Sequence, residues 1–162
     1  MSNFFISASG LDARGVGPRI ILRTLPLVLV AIALGIFAPQ IVNIGVFDNS
    51  TVKTFGWIWL AFGIAAFAAS LAQFIANFPK GKLICTGMYA CSRNPIYSCW
   101  IVFILPALAF VLNNWLFFAA AYVMCRTVLS LVKKEEKDLL QVFGKEYEEY
   151  KGRVGCIVRF VR

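Results

Sequence analysis

The chain has 162 residues, 60% of them hydrophobic, and a mean hydropathy of +0.76; soluble domains are roughly 45–50% apolar, so this excess calls for lipid as a second solvent. The formal net charge of +8 gathers at the two ends and in one central loop, with no basic stripe among polar base-reading side chains, which argues against nucleic acid and for anionic lipid head groups. Five cysteines without a C-x-x-C pair, and no histidine, argue against a disulfide framework and against a metal site.

Taken in chain order, the stretch from Met1 to Arg19 lacks the apolar core and small-residue cleavage site of a signal peptide, so the first long apolar run is expected to remain as a span. A membrane helix needs about 17–25 apolar residues, and four stretches qualify, at about 25–47, 55–78, 95–112 and 115–132. The first is entered past Arg14, Arg19 and Arg23, with Pro26 in its opening turn and Pro39 expected to kink it. The second stops at Pro79. Along it Gly56, Gly63, Ser70 and Asn77 recur every seven residues, with Ala66 and Gln73 beside them. That pattern suits a seam of close helix packing; alternatively, Gln73 and Asn77 line a polar pocket at its end. The third begins at Pro95, and the fourth leaves the bilayer near Val132, before Lys133 and Lys134.

Loop charge sets the expected orientation. Lys80, Lys82 and Arg93 lie between the second and third spans, while the other two loops offer only Lys53 and an uncharged Asn113-Asn114 turn. The positive-inside rule then puts both termini and the central loop in the cytoplasm, with Trp57, Trp59 and Trp115 near the outer interface. The expected architecture is all-α: one membrane domain over 1–162, a four-span helical bundle followed by a C-terminal segment, 133–162. In that segment Tyr147, Tyr150 and Val154 continue an apolar stripe, as in an amphipathic helix lying along the head groups.

The short Asn113-Asn114 turn makes spans three and four a hairpin, so two polar motifs, 87–97 and 135–154, return to the same membrane face. In the first, Asn94 and Pro95 have the character of an N-cap and a first helical residue. The amide groups of a helix start suit a carboxylate or phosphate, and Arg93 stands beside them. In the second, Cys125, Val132, Leu139 and Phe143 share one helical face. Glu136 falls in the middle of it and Glu135 at its margin, while Lys134, Lys137 and Asp138 point away. A carboxylate on a buried face is costly unless paired, so Glu136 either pairs with Arg93 or is reserved for a cationic ligand. Arg126, about two turns before the membrane exit, is either a functional intramembrane charge or a snorkelling one.

Gly87-x-Tyr89-x-x-x-Arg93-Asn94-Pro95-x-Tyr97, followed by Glu135-Glu136-x-x-Leu139-x-x-x-Phe143-Gly144-x-Glu146-Tyr147-x-x-Tyr150-x-x-x-Val154, resembles the isoprenylcysteine carboxyl methyltransferase family. The related phospholipid N-methyltransferases share much of the pattern. The likeness runs from Lys82 to Val154; the first two spans match only as generic spans. It implies S-adenosylmethionine held at the cytoplasmic face between the central loop and the C-terminal segment. It also implies lateral access for a lipid-like acceptor, a prenylcysteine-type carboxylate or a phospholipid amine. On this resemblance Arg93 and Glu136 are the expected catalytic residues. Gly87, Tyr89, Arg93, Asn94, Pro95, Tyr97, Glu135 and Glu136 are the expected cofactor contacts, with no metal. Asn94 stands where most relatives have histidine, and Gly155 where many have proline, so no histidine base is available. A carboxylate acceptor needs no base. Two other classes remain open: a membrane reductase using NADPH on a sterol-like substrate, and a non-catalytic membrane scaffold or transport subunit.

Overall fold

The computed structural model describes residues 15–45 and 49–157; Arg14, the far end of the expected first span and the last residues of the C-terminal segment lie outside the described residues. Among the described residues every regular element is helical.

Helix α1, Gly17–Phe37, opens with proline in its first turn and carries Pro26 inside it. It starts well upstream of the membrane entry expected near residue 25. Its end is sharper than the expected kink. Ala38 turns out of the helix (φ −145°, ψ 56°) because a residue before proline is pushed from the helical region. Pro39 then opens a separate short helix, α2, Pro39–Val42. Helix α3, Ser50–Asn77, is capped by the Asn49 side chain, whose oxygen accepts the Thr51 N–H at 2.9 Å. It tightens into a 3₁₀ turn, Phe78–Lys80, and stops at Gly81, whose φ of +64° favours glycine. A short α4, Met88–Cys91, precedes α5, Pro95–Val111, and then α6, Leu116–Arg153, which is interrupted at Gly144 (φ 52°, ψ −125°). Among the described residues three stretches are long and apolar enough to cross a membrane: Gly17–Phe37, Ser50–Lys80 and Leu116–Arg153; Pro95–Val111 is a shorter apolar helix.

The helices pack in the order α1, α6, α5, α3. Gly56, Gly63 and Ser70 are the buried residues of α3, so the seven-residue repeat is a packing seam. A Cβ on Gly63 would come within 2.7 Å of the Phe103 Cβ, and one on Gly56 within 2.9 Å of the Phe110 Cβ. The facing stretch of α5 is a π turn, Trp100–Ile104. Pro106 has no N–H to give the Val102 carbonyl four residues back, which frees that oxygen. The Trp59 indole of α3 takes it up, donating at 3.2 Å. At the opposite end from the polar motifs, Asn114 is buried. It donates to the Ala31 carbonyl of α1 at 2.8 Å and accepts the Leu116 N–H at 3.0 Å, while Asn113 donates to Asn43 and accepts from Ile44. The two asparagines therefore tie the hairpin to α1 and to the residues just after α2.

Candidate functional site

A cavity of about 490 Å³ lies where the two polar motifs meet. Its walls come from the start of α1 (Gly15, Gly17), the far end of α3 (Leu71, Phe74, Phe78), the 81–84 loop, the start of α5, and α6 on both sides of Gly144. Of the expected contacts, Tyr89, Arg93, Asn94, Pro95, Tyr97, Glu135 and Glu136 all line it. Gly87 does not. With φ +58° it packs on α3, where an added Cβ would meet the Gln73 side chain at 2.8 Å. Gln73 and Asn77 are not in the wall either. Gln73 donates to the Thr86 carbonyl and accepts the Met88 N–H at 3.1 Å, so it pins the loop, and Asn77 donates back to the Gln73 carbonyl. The polar-pocket reading of these two residues gives way to an anchoring role.

Glu136 sits on the inward face of α6, as helical spacing requires, and its side chain is 12% exposed. One oxygen lies 3.0 Å from Arg93 Nη1, and the other lies 2.8 Å from Lys151 Nζ. Of the two readings open for Glu136, pairing with Arg93 is the arrangement present, and Lys151 adds a second cation that spacing did not disclose. Arg93 is 5% exposed, yet its Nε and Nη1 have no directional hydrogen-bond partner; the 3.0 Å contact is an ion pair without a well-aligned N–H. Buried donors left unmade cost about 1–3 kcal/mol, more when charged. An anionic group entering the cavity would relieve that cost. Tyr147 lies beside the same guanidinium; burial pushes its hydroxyl up, Glu136 adds to that, and Arg93 pulls against it.

Glu135, at the margin of the face, accepts the Val16 N–H at 2.6 Å. Its carboxylate therefore stands at the positive end of α1 and joins α1 to α6. Burial raises its pKa, the Val16 bond lowers it and Asp138 raises it again; the net direction is upward.

Behind the cavity, four bonds to backbone carbonyls fasten the 92–98 stretch to the residues after α6. Arg93 N donates to the Gly155 carbonyl at 2.9 Å, Ser92 Oγ and Asn94 Nδ2 both donate to the Cys156 carbonyl at 3.1 Å, and Ser98 Oγ donates to the Ile157 carbonyl at 2.7 Å. Asn94 thus occupies the N-cap position of α5 but makes no side-chain cap; its amide is spent on Cys156. Tyr150 closes the wall by donating to the Tyr89 carbonyl at 2.6 Å. Arg126 is exposed and lies away from this wall, which favours the snorkelling role. Among the described residues no His, Cys, Asp and Glu cluster suits a metal ion.

The isoprenylcysteine carboxyl methyltransferase family model matches residues 49–141, more than half of the chain. That match takes in α3, which resembled only a generic span, and ends before Gly144. Among curated proteins, the protein-S-isoprenylcysteine O-methyltransferase of Saccharomyces cerevisiae is 30% identical over 79 residues, and protein-S-isoprenylcysteine O-methyltransferase B of Arabidopsis thaliana is 34% identical over 80. Each match takes in 49% of this chain and only 33% and 41% of the relatives, so less than half the length of either is covered. With its apolar helices, this likeness supports an integral membrane protein.

Proposed function

Because the chain belongs to the isoprenylcysteine carboxyl methyltransferase family, we propose that it transfers a methyl group from S-adenosylmethionine to the carboxylate of a prenylcysteine-type lipid. The observation that carries this reading is the buried Arg93, whose Nη1 is ion-paired with Glu136 and whose Nε has no geometric hydrogen-bond partner, inside a lined cavity. The volume, about 490 Å³, falls within the roughly 300–1,000 Å³ of small-molecule sites.

The residues present fit the proposed cofactor. Arg93 offers unused donors to an α-carboxylate, Glu135 and Glu136 offer carboxylates to an ammonium or to ribose hydroxyls, and Tyr89 and Tyr97 offer aromatic faces to a purine. When bound, S-adenosylmethionine supplies an electrophilic methyl group on a sulfonium. The chain's part is to position the acceptor and exclude water. Leu71, Phe74 and Phe78 give the α3 side of the cavity an apolar wall suited to a prenyl chain. An ionised acceptor carboxylate is already a nucleophile. A chain with no histidine, and with Glu136 committed to two cations, therefore lacks nothing that the step needs. A phospholipid amine would need a proton acceptor, which makes it the weaker reading. Alignment and a water-poor cavity, in which opposite charges neutralise one another, supply the rate.

The proposed topology has four spans, with Pro95–Val111 as the shortest at 17 residues, about 25 Å of helix. Both termini and the cavity face the cytoplasm, as the loop charges require. The segment from Lys133 to Val154 lies at the interface, with Tyr147, Tyr150 and Val154 turned inward. The test is labelled methyl transfer by the detergent-purified chain, offered a farnesylated N-acetylcysteine and phosphatidylethanolamine. Base-labile label in the first is expected. Label only in the second assigns an amine acceptor instead, and stabilisation by NADPH without adenosylmethionine binding rejects the methyltransferase reading.

A further inference from the structure

We propose that Lys151 is a built-in substitute for the ammonium of an amino-acid-derived ligand, holding one oxygen of Glu136 until that ligand displaces it. The inference rests on the reading of the cavity as a site for an adenosyl amino acid. It adds which oxygen receives the cation and what occupies that oxygen beforehand.

Glu136 has both oxygens in use, but its two partners differ in kind. Arg93, at 3.0 Å from Oε1, is 5% exposed and held through its own backbone N–H to the Gly155 carbonyl. Lys151, at 2.8 Å from Oε2, is 49% exposed, on a flexible four-carbon stem. Lys151 is the half-exposed end of its pair, so it can swing into water while Arg93 stays to hold Glu136. Beside this pair lies Arg93 Nε, buried and without a geometric hydrogen-bond partner, which calls for an anion. An anion-seeking guanidinium next to a carboxylate oxygen filled by a removable cation is the complement of a zwitterion. A ligand that brings its carboxylate to Arg93 and its ammonium to Oε2 replaces Lys151 charge for charge. Glu136 is then never left unpaired on a buried face, either before or after binding. The competing role for Lys151 is purely mechanical, tying the leg of α6 beyond Gly144 to the leg before it.

Calorimetric titration of S-adenosylhomocysteine and of its des-amino analogue into the unaltered chain, Lys151→Met and Lys151→Arg separates the two roles. The expected result is that Lys151→Met binds S-adenosylhomocysteine about two- to fivefold more tightly, the worth of one half-exposed ion pair. Affinity for the des-amino analogue should not change, and Lys151→Arg should behave as the unaltered chain. In parallel, acylation of Lys151 by an amine-reactive reagent, read by mass spectrometry, should speed up on saturation with S-adenosylhomocysteine. Weakening of both ligands by Lys151→Met, or no preference between them, overturns the inference while leaving the cavity assignment standing. Failure of the unaltered chain to bind either ligand removes the cavity assignment and the inference together.

Discussion

Glu136 and Arg93 stand 43 positions apart in sequence and meet as a nearly buried pair, with Lys151 on the outer oxygen. Removing the charge from Glu136 leaves Arg93 buried and uncompensated. Glu136→Gln should therefore lower apo stability by about 2–3 kcal/mol, short of the roughly 3–5 for a fully buried pair because glutamine still offers an oxygen. The apo melting temperature in detergent reads this; an unchanged value would show that Glu136 contributes nothing to the empty chain. Glu135 makes the opposite kind of statement. Its pKa in the folded chain is raised above 4.5, so the folded state holds its proton longer than the unfolded one. The stabilisation from that proton is complete below the ordinary glutamate range and is lost as pH rises through the raised value. Melting temperature against pH should fall across that window in the unaltered chain and flatten in Glu135→Gln; identical profiles would contradict the assignment. Both carboxylates were legible as residues on or beside an inward helical face. Arg93 was one of the two readings open for Glu136, and it is the partner present; the other two partners were not legible. Val16 is 119 positions away, and Lys151 lies beyond the break at Gly144, past which a helical wheel carries no phase.

At the scale of elements, the repeat in α3 is the clearest case of pattern becoming contact. Gly63 lets α3 approach α5 so closely that a methyl group would sit 2.7 Å from the Phe103 Cβ. Gly63→Ala should force the helices apart and cost about 1–3 kcal/mol, with Gly45→Ala, where nothing lies within 4 Å, as the neutral control. Thermal unfolding of both variants checks it; equal stability would mean the seam is slack. The sequence disclosed the small residues, because their spacing matches the helix period. It did not disclose the π turn opposite them. That turn follows from Pro106 and is held by Trp59, a contact across 43 positions that no local rule supplies. Pro39 was read as a kink and is a full break, since the residue ahead of it cannot stay helical while its own N–H is missing.

Across the whole molecule, apolar runs disclosed the long helices, because lipid imposes length on every span; the orientation drawn from loop charge is a proposal. Orientation has a native reporter: Cys91 is exposed in the central loop region, whereas Cys99 and Cys156 are buried. With the other cysteines replaced, a membrane-impermeant thiol reagent should label Cys91 only when the cytoplasmic side is open, and a cysteine at Thr51 only from outside. Labelling in the reverse sense would invert the topology. The hairpin and the meeting of the two polar motifs were legible from the Asn113-Asn114 turn. The role of those asparagines in holding α1 was not, because a buried amide looks like any turn residue until its partner is known.

The four bonds that fasten residues 92–98 to the carbonyls of 155–157 carry a consequence for how the protein is made. Ser92, Asn94 and Ser98 emerge from the ribosome about 60 residues before the carbonyls that receive them. Synthesis runs at roughly 5–20 residues per second, so for some seconds the earlier helices are threaded while the back of the cavity is missing. The nascent chain passes through that interval with Arg93 in place and nothing yet behind it. The cavity is thereby left without its back wall until Ile157 has emerged, and a chain arrested short of that point should carry the earlier helices without a closed cavity.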